Sequence, residues 1–320
     1  MVKRIVIITI GLLAFISNHL KAQADTAKVG VFILSLYNLD MNDKSFTTDF
    51  WIWVNHDIDS ISFENSIEIP NAKETSYSMF MDEEKGGGRW VTEKVHAVVK
   101  ADWDISDFPF DKQVLSIQIE EADKDVTELV YVADVTNSKI DEQLKLKDWI
   151  ITDFTVTDTA RAYNTSYGDP ELSEQSAYGQ INANITLKRI HVWTIFFKLF
   201  TGVFVGFLIA LFVFFIKPIN VDPRFGLCVG GLFAAVGNKY VVEGTVSSVS
   251  SNTLIDTLHN LTFVSILIII FISIVSLFLF EKGDDKNLRR AKMLDTWSFV
   301  IILISYVALA FYFVNEATNA

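Results

Sequence analysis

Hydrophobic and polar positions divide the chain into two regimes. From Val29 to Ile190, short apolar and alternating runs are separated by polar turns. They include Val31-Phe32-Ile33-Leu34, Phe50-Trp51-Ile52-Trp53-Val54, Val114 to Ile119, Trp149 to Val156 and Ile181 to Leu187. A period of two buries one face of a strand, and strands at this spacing predict an all-β sandwich, immunoglobulin-like, over residues 25–190. Gly86-Gly87-Gly88 reads as a turn, with no phosphate-binding role, because no strand–Gly-loop–helix context follows it.

After Ile190 the pattern changes to long apolar segments, each able to cross a hydrocarbon core of about 30 Å. They are M1 (192–216), M2 (224–244), M3 (259–280) and M4 (296–314), and together they predict a four-helix transmembrane bundle over 191–316. M2 is the exception. Arg224, Gly226, Gly230, Gly231, Gly237, Asn238, Lys239 and Glu243 would suffer a high desolvation penalty facing lipid, so M2 is expected to be shielded by its neighbours or to face water. Glycines also permit close helix packing, which is the competing reading of the same residues. One copy with four spans cannot enclose a pore, whereas a symmetric ring of copies, each contributing M2, can.

Charge supplies orientation. The M3–M4 loop holds Lys282, Lys286, Arg289, Arg290 and Lys292, and the M1–M2 turn adds Lys217 and Arg224. The M2–M3 loop, residues 244–258, and the tail after M4 hold no Lys or Arg. The positive-inside rule then places both basic loops in the cytoplasm of an inner-membrane, multi-pass protein, with the β domain and the C-terminus outside. Lys3 and Arg4, an apolar run from Ile5 to Ile16, and Ala22-Gln23-Ala24 read as a signal peptide over 1–24, in agreement with that topology. Lys198, about two turns into M1, is expected to snorkel outward, or to pair with Glu243 or Asp256.

Half the residues are hydrophobic and 21% charged, a mixture too apolar for an ordinary soluble protein and too charged for a pure membrane bundle. Residues 25–189 carry 31 acidic and 15 basic side chains, a field of −16 that repels nucleic acid and concentrates cations and protons. The single cysteine, Cys228, precludes an intrachain disulfide. No His/Cys metal cluster, nucleophile elbow or P-loop is present in the sequence, so neither an enzyme nor a cofactor is implied. Acid pairs such as Glu120-Glu121 are read as surface charge, since neighbours on a strand alternate faces. The polar stretch 159–178 contains Tyr163, Tyr167 and Tyr178, read either as an ordinary long hairpin or as a loop closing over a ligand, aromatic faces being suited to cations.

One loop stands out. In Phe108-Pro109-Phe110-Asp111, a proline between two aromatics fixes the backbone and leaves one carboxylate at the tip. A β domain carrying this loop, followed by four spans with a polar second span, resembles the pentameric ligand-gated ion channels (the Cys-loop receptor superfamily) in their prokaryotic form. The resemblance covers essentially the whole mature chain. Ala101 and Leu115 stand where animal members have two cysteines, and Arg189, before M1, matches the family's basic residue there. Pro223-Arg224-Phe225-Gly226-Leu227 resembles the family's M2 start and Val242-Glu243 its outer mouth. In that register Asp222, Gly226, Gly230, Phe233, Gly237 and Tyr240 face the pore axis, at the spacing of one helical face.

The resemblance implies a homopentamer in membrane lipid that conducts inorganic ions when a small-molecule agonist or protons act on the β domain; a ring of Asp222 carboxylates at the inner mouth then favours cations, which Arg224 opposes if it faces the axis. Coupling is then expected through His56 to Asp59, the Phe108–Asp111 loop, Arg189, and 244–258 with Glu243, and Asp111 or Asp57 is expected to pair with Arg189. The chain departs from the family at Gly226 and Gly230, which lack pore hydroxyls, at Phe233, which replaces an aliphatic gate residue, and in M1, which lacks a proline. The missing hydroxyls and the Phe233 ring support a non-conducting membrane receptor as the alternative; a membrane-anchored enzyme or a structural envelope protein finds less support in the residues.

Overall fold

The computed structural model describes residues 24–58, 62–168, 176–244 and 252–319. The signal-peptide reading of 1–24 therefore lies outside the described residues except for residue 24, as do Asp59, residues 169–175 and most of the loop between the second and third helices.

The N-terminal region folds into two sheets. Strands β1 (Asp25–Asp40), β2 (Ser45–His56), β4 (Ala72–Lys85), β5 (Gly88–Lys100) and β7 (Leu129–Ala133) form one, in the order β4-β5-β2-β1-β7, with β8 (Lys139–Ile140) also on β1. Strands β3 (Ile67–Glu68), β6 (Lys112–Asp125), β9 (Trp149–Tyr163) and β10 (Ser176–Arg189) form the other, in the order β3-β6-β10-β9. The alternation read in the sequence accounts for the core. Phe50, Ile52 and Val54 of β2 and Ile181, Ala183, Ile185 and Leu187 of β10 are all fully buried in one apolar cluster shared by the sheets. Gly86 and Gly87 close the β4–β5 hairpin at positive φ, where a side chain is strained.

Four helices follow, each long and apolar enough to cross a membrane. They are α1 (Val192–Leu211, continued by a 3-10 turn Phe212–Phe215), α2 (Val221–Glu243), α3 (Leu254–Glu281) and α4 (Asp285–Asn319). Mean hydropathy falls from 3.1 for α3 to 1.4 for α2, so α2 is the segment least suited to lipid. His191, in left-handed backbone at φ 56°, turns the chain directly from β10 into α1. A capping box between Thr253 and Asp256 starts α3. At 35 residues, α4 spans about 52 Å, longer than a hydrocarbon core, and its far end at Ala317 is buried in the apolar cluster that joins helices and β region.

Candidate functional site

The Phe108–Asp111 loop folds through two tight turns, with Phe108 N donating to Ile105 O (3.2 Å) and Phe110 N to Asp107 O (2.8 Å), and the Phe108–Pro109 peptide is cis. These turns aim Asp111 and Phe110 in different directions. Asp111 points inward and receives a two-pronged bond from Arg189, Nε to Oδ1 at 2.9 Å and Nη2 to Oδ2 at 3.0 Å. Gln113 Nε2 donates to the same carboxylate at 2.8 Å. The guanidinium also lies over the rings of Phe108 (4.8 Å) and Trp149 (4.1 Å), so aromatic contacts add to its edge-on bonds. Phe110 points the other way, against Trp193 (5.1 Å) and Phe196 (5.8 Å) of α1.

Ile105 and Phe108 share one buried cluster with Phe200, Leu254, Ile255 and Leu258 of the helices. Leu254 N, at the start of α3, donates to Ser106 O at 2.8 Å. The loop is thus tied to β10 by an ion pair, to α1 by aromatic packing and to α3 by a backbone bond. Side-chain exposures of 1% for Asp111 and 9% for Arg189 make the pair a desolvated one, in which removing one partner costs about 3–5 kcal/mol.

Asp57 does not belong to this junction. It lies at the far end of β2, against Gly88, where an added Cβ would meet Asp57 Oδ1 at 2.2 Å. The two ends of β2 are about 36 Å apart at about 3.3 Å per residue. The junction instead receives the turn at the near end of β2. Lys44 O accepts from Ala101 N (2.9 Å), and Met41 Sδ sits 3.9 Å from Arg189 Nη2. The physical reason is register. Ser45 pairs with Lys100, next to the Phe108 loop, while His56 pairs with Arg89.

Along α2, Asp222, Gly226, Gly230, Phe233, Gly237 and Tyr240 are all exposed in the single chain, Phe233 at 71% and Tyr240 at 73%. A Cβ added at Gly226, Gly230 or Gly237 would meet nothing within 4 Å. The opposite face is packed. Gly231 sits so close to α1 that an added Cβ would fall 2.5 Å from Gly206 O. Asn238 Nδ2 donates to Leu199 O (3.0 Å), and Asn238 Oδ1 faces His259 Nε2 of α3 (3.1 Å). Close packing therefore explains Gly231 and leaves the other three glycines unexplained within one chain.

Two basic residues expected near the ends of α2 are engaged elsewhere. Arg224 is completely buried, with Nη1 and Nη2 on the Asp295 carboxylate of α4 (3.1 and 2.7 Å) and Nη1 also on Ile216 O (2.7 Å). Lys239 bridges Glu243 (3.5 Å) and Asp256 of α3 (3.2 Å), the two acids considered as partners for Lys198, which is exposed.

The three tyrosines converge. Tyr163 lies 6.1 Å from Tyr167 and 6.0 Å from Tyr178, with Arg161 over its ring at 4.9 Å. Their polar anchor is Glu120, which accepts from Tyr163 Oη (2.8 Å) and Gln180 Nε2 (2.9 Å). This corrects the surface reading of Glu120-Glu121. Both are buried, Glu120 beneath the hairpin and Glu121 in the core, where Ser66 Oγ (3.1 Å) and Tyr131 Oη (2.9 Å) donate to it. Burial pushes both carboxyls above their ordinary value, outweighing those donors, and the Tyr163 phenol is pushed up by burial and by Glu120.

No protein-family model matches the chain, and no curated protein sequence does.

Proposed function

We propose that this protein is one subunit of a homopentameric, ligand- or proton-gated ion channel, with an immunoglobulin-like β sandwich outside the membrane and α2 lining the pore. The observation that carries the reading is the open face of α2. A membrane helix with a carboxylate, three glycines and a tyrosine on one uncovered stripe, and a packed opposite side, is poorly solvated by hydrocarbon and well suited to an aqueous axis. Five copies of Phe233 around that axis form a constriction that closes by dewetting, and Asp222 forms a ring of carboxylates at one mouth, favouring cations.

In this mechanism the β region moves the Phe108–Asp111 loop, and the loop moves α1 through Phe110 and α3 through Ser106. Agonist binding at the tyrosine cluster, or protonation of the raised carboxyls of Glu120 and Glu121, supplies the differential free energy between closed and open states. The bare glycines and the Phe233 ring favour one second reading, a receptor of the same architecture that does not conduct.

The deciding experiment is a copy count from a reconstructed particle together with currents in planar bilayers across pH and amine screens. Five copies with α2 central and acid- or ligand-evoked current are expected, and Phe233→Ser is expected to leak at rest. Five copies that never pass current in wild type or Phe233→Ser protein would leave the receptor reading in place of the channel. Any other arrangement of α2 removes both.

A further inference from the structure

We infer that Asp295, on α4 and remote from the open face of α2, fixes the charge selectivity of the pore by withdrawing Arg224 from its mouth. This rests on the channel reading above and names a residue that acts through another. Arg224 follows Asp222 by two positions, about 200° around the helix, in the first turns of α2. Its side chain is long enough to reach either the mouth or the helix bundle, and Gly226 beside it offers no side chain to bar the way.

The structure places the guanidinium entirely in the bundle. Arg224 has no exposed surface, and both of its terminal nitrogens engage the Asp295 carboxylate, at 3.1 and 2.7 Å. Ile216 O supplies one further acceptor, at 2.7 Å, and Nε has no partner. A single carboxylate therefore supplies the opposing charge for a fully desolvated cation. Asp222 remains exposed on the other side of the helix, so with Arg224 withdrawn its carboxylate is the charge that the first turn of α2 presents at the mouth.

Neutralising Asp295 removes the reason for Arg224 to stay buried. An unpaired charge in the bundle is strongly disfavoured, and the available relief is for the side chain to swing into water at the mouth. There it meets Asp222 and cancels the charge that the first turn of α2 presents at the mouth. Asp295 is thus a positioning residue for selectivity, distinct from the acids that contact a permeating ion.

Reversal potentials in NaCl gradients test this on the full-length protein. The Asp295→Asn variant is expected to lose cation preference by about tenfold, toward equal permeation of both ions. The double variant R224Q/D295N, which has no guanidinium to release, is expected to return to the wild-type reversal potential, as is Asp295→Glu. Should D295N fail to assemble, Asp222→Asn reads the same geometry from the exposed side. With Arg224 withdrawn it becomes non-selective, whereas with Arg224 at the mouth it becomes anion-selective.

An unchanged reversal potential in D295N, a double variant as impaired as D295N, or an anion-selective D222N overturns the inference while leaving a conducting channel. Wild-type protein that passes no ions sinks this inference together with the channel reading.

Discussion

Two buried arginine–aspartate pairs hold the helices at opposite ends of the bundle, and they differ in what surrounds them. At the β-region end, Arg189 is clasped by Asp111, flanked by two aromatic rings, and its carboxylate partner is held in turn by Gln113. At the far end, Arg224 has Asp295 and one carbonyl, and its Nε is bare. The first pair is embedded in a network that fixes its geometry; the second is a point clamp between α2 and α4. A networked pair resists exchange for apolar residues, because its other members lose their partners too. A point clamp is open to such exchange, since a buried ion pair is often no better than a well-packed apolar pair.

The largest expected effect breaks the first pair. Arg189→Gln leaves Asp111 desolvated and is expected to cost about 3–5 kcal/mol, seen as a lower melting temperature of the detergent-solubilised protein and, under the channel proposal, as loss of evoked current. Arg189→Lys keeps the charge and loses the fork and the ring stacking, so part of that loss remains. By contrast, the apolar double variant R224M/D295L is expected to melt within about 1 kcal/mol of wild type, while the single D295L loses several-fold more. Equal costs for R189M/D111L and R224M/D295L would erase the distinction between network and clamp.

A smaller effect sharpens the contrast between the two faces of α2. Gly231→Ala drives a methyl into the Gly206 carbonyl and is expected to cost about 1–3 kcal/mol. Gly230→Ala, one residue earlier, meets open space in the single chain. Its helix-propensity gain of about 0.5–1 kcal/mol is expected to appear as a raised melting temperature. A Gly230→Ala protein that melts as low as Gly231→Ala would mean that the open face is covered tightly by another copy.

The same comparison explains what the sequence disclosed. Arg189 is the last cation before a long apolar run and Asp111 closes a rigid proline loop, so both partners of the first pair are marked by local chemistry. Asp295 carries no such mark. Hydropathy begins the fourth span at 296, which leaves Asp295 in a charged loop, whereas α4 begins at Asp285. Its buried positions Ala291, Asp295 and Ser298 follow one helical stripe among basic neighbours, and that spacing was the available signal. Asp57 was misplaced because hydrophobic alternation identifies a strand without fixing its neighbours. Only the pairing of Ser45 with Lys100 shows which end of β2 meets the junction. Glu120 and Glu121 were misread for a related reason, since one-sided burial fails where a hairpin covers the second face.

Unlike these arginine-paired carboxylates, Glu121 is buried in the β core with hydroxyls and one backbone amide as donors. Burial raises its carboxyl above the ordinary 4.5, and the donors do not restore it. The folded state then binds a proton more tightly than the unfolded chain, so the linkage term favours folding as pH falls. That contribution is fully present below the unfolded value of 4.5 and is lost as pH rises through the raised folded value. Glu120 and Glu93, also raised by burial, act in the same direction. The lowered carboxyls of Asp49 and Asp134 lose their contribution only below the ordinary 3.8, outside this window. His56, whose imidazole is pushed by burial below its ordinary 6.5, acts in the opposite direction as pH falls through that value, so in a His56→Gln background melting temperature is expected to rise on acidification toward 4.5. Glu121→Gln, which keeps the shape and an acceptor for Tyr131, is expected to flatten that slope. A slope unchanged in Glu121→Gln would move the titration to Glu120 and the tyrosine cluster, while a melting temperature that falls with acid would show that these carboxylates stay charged in the fold.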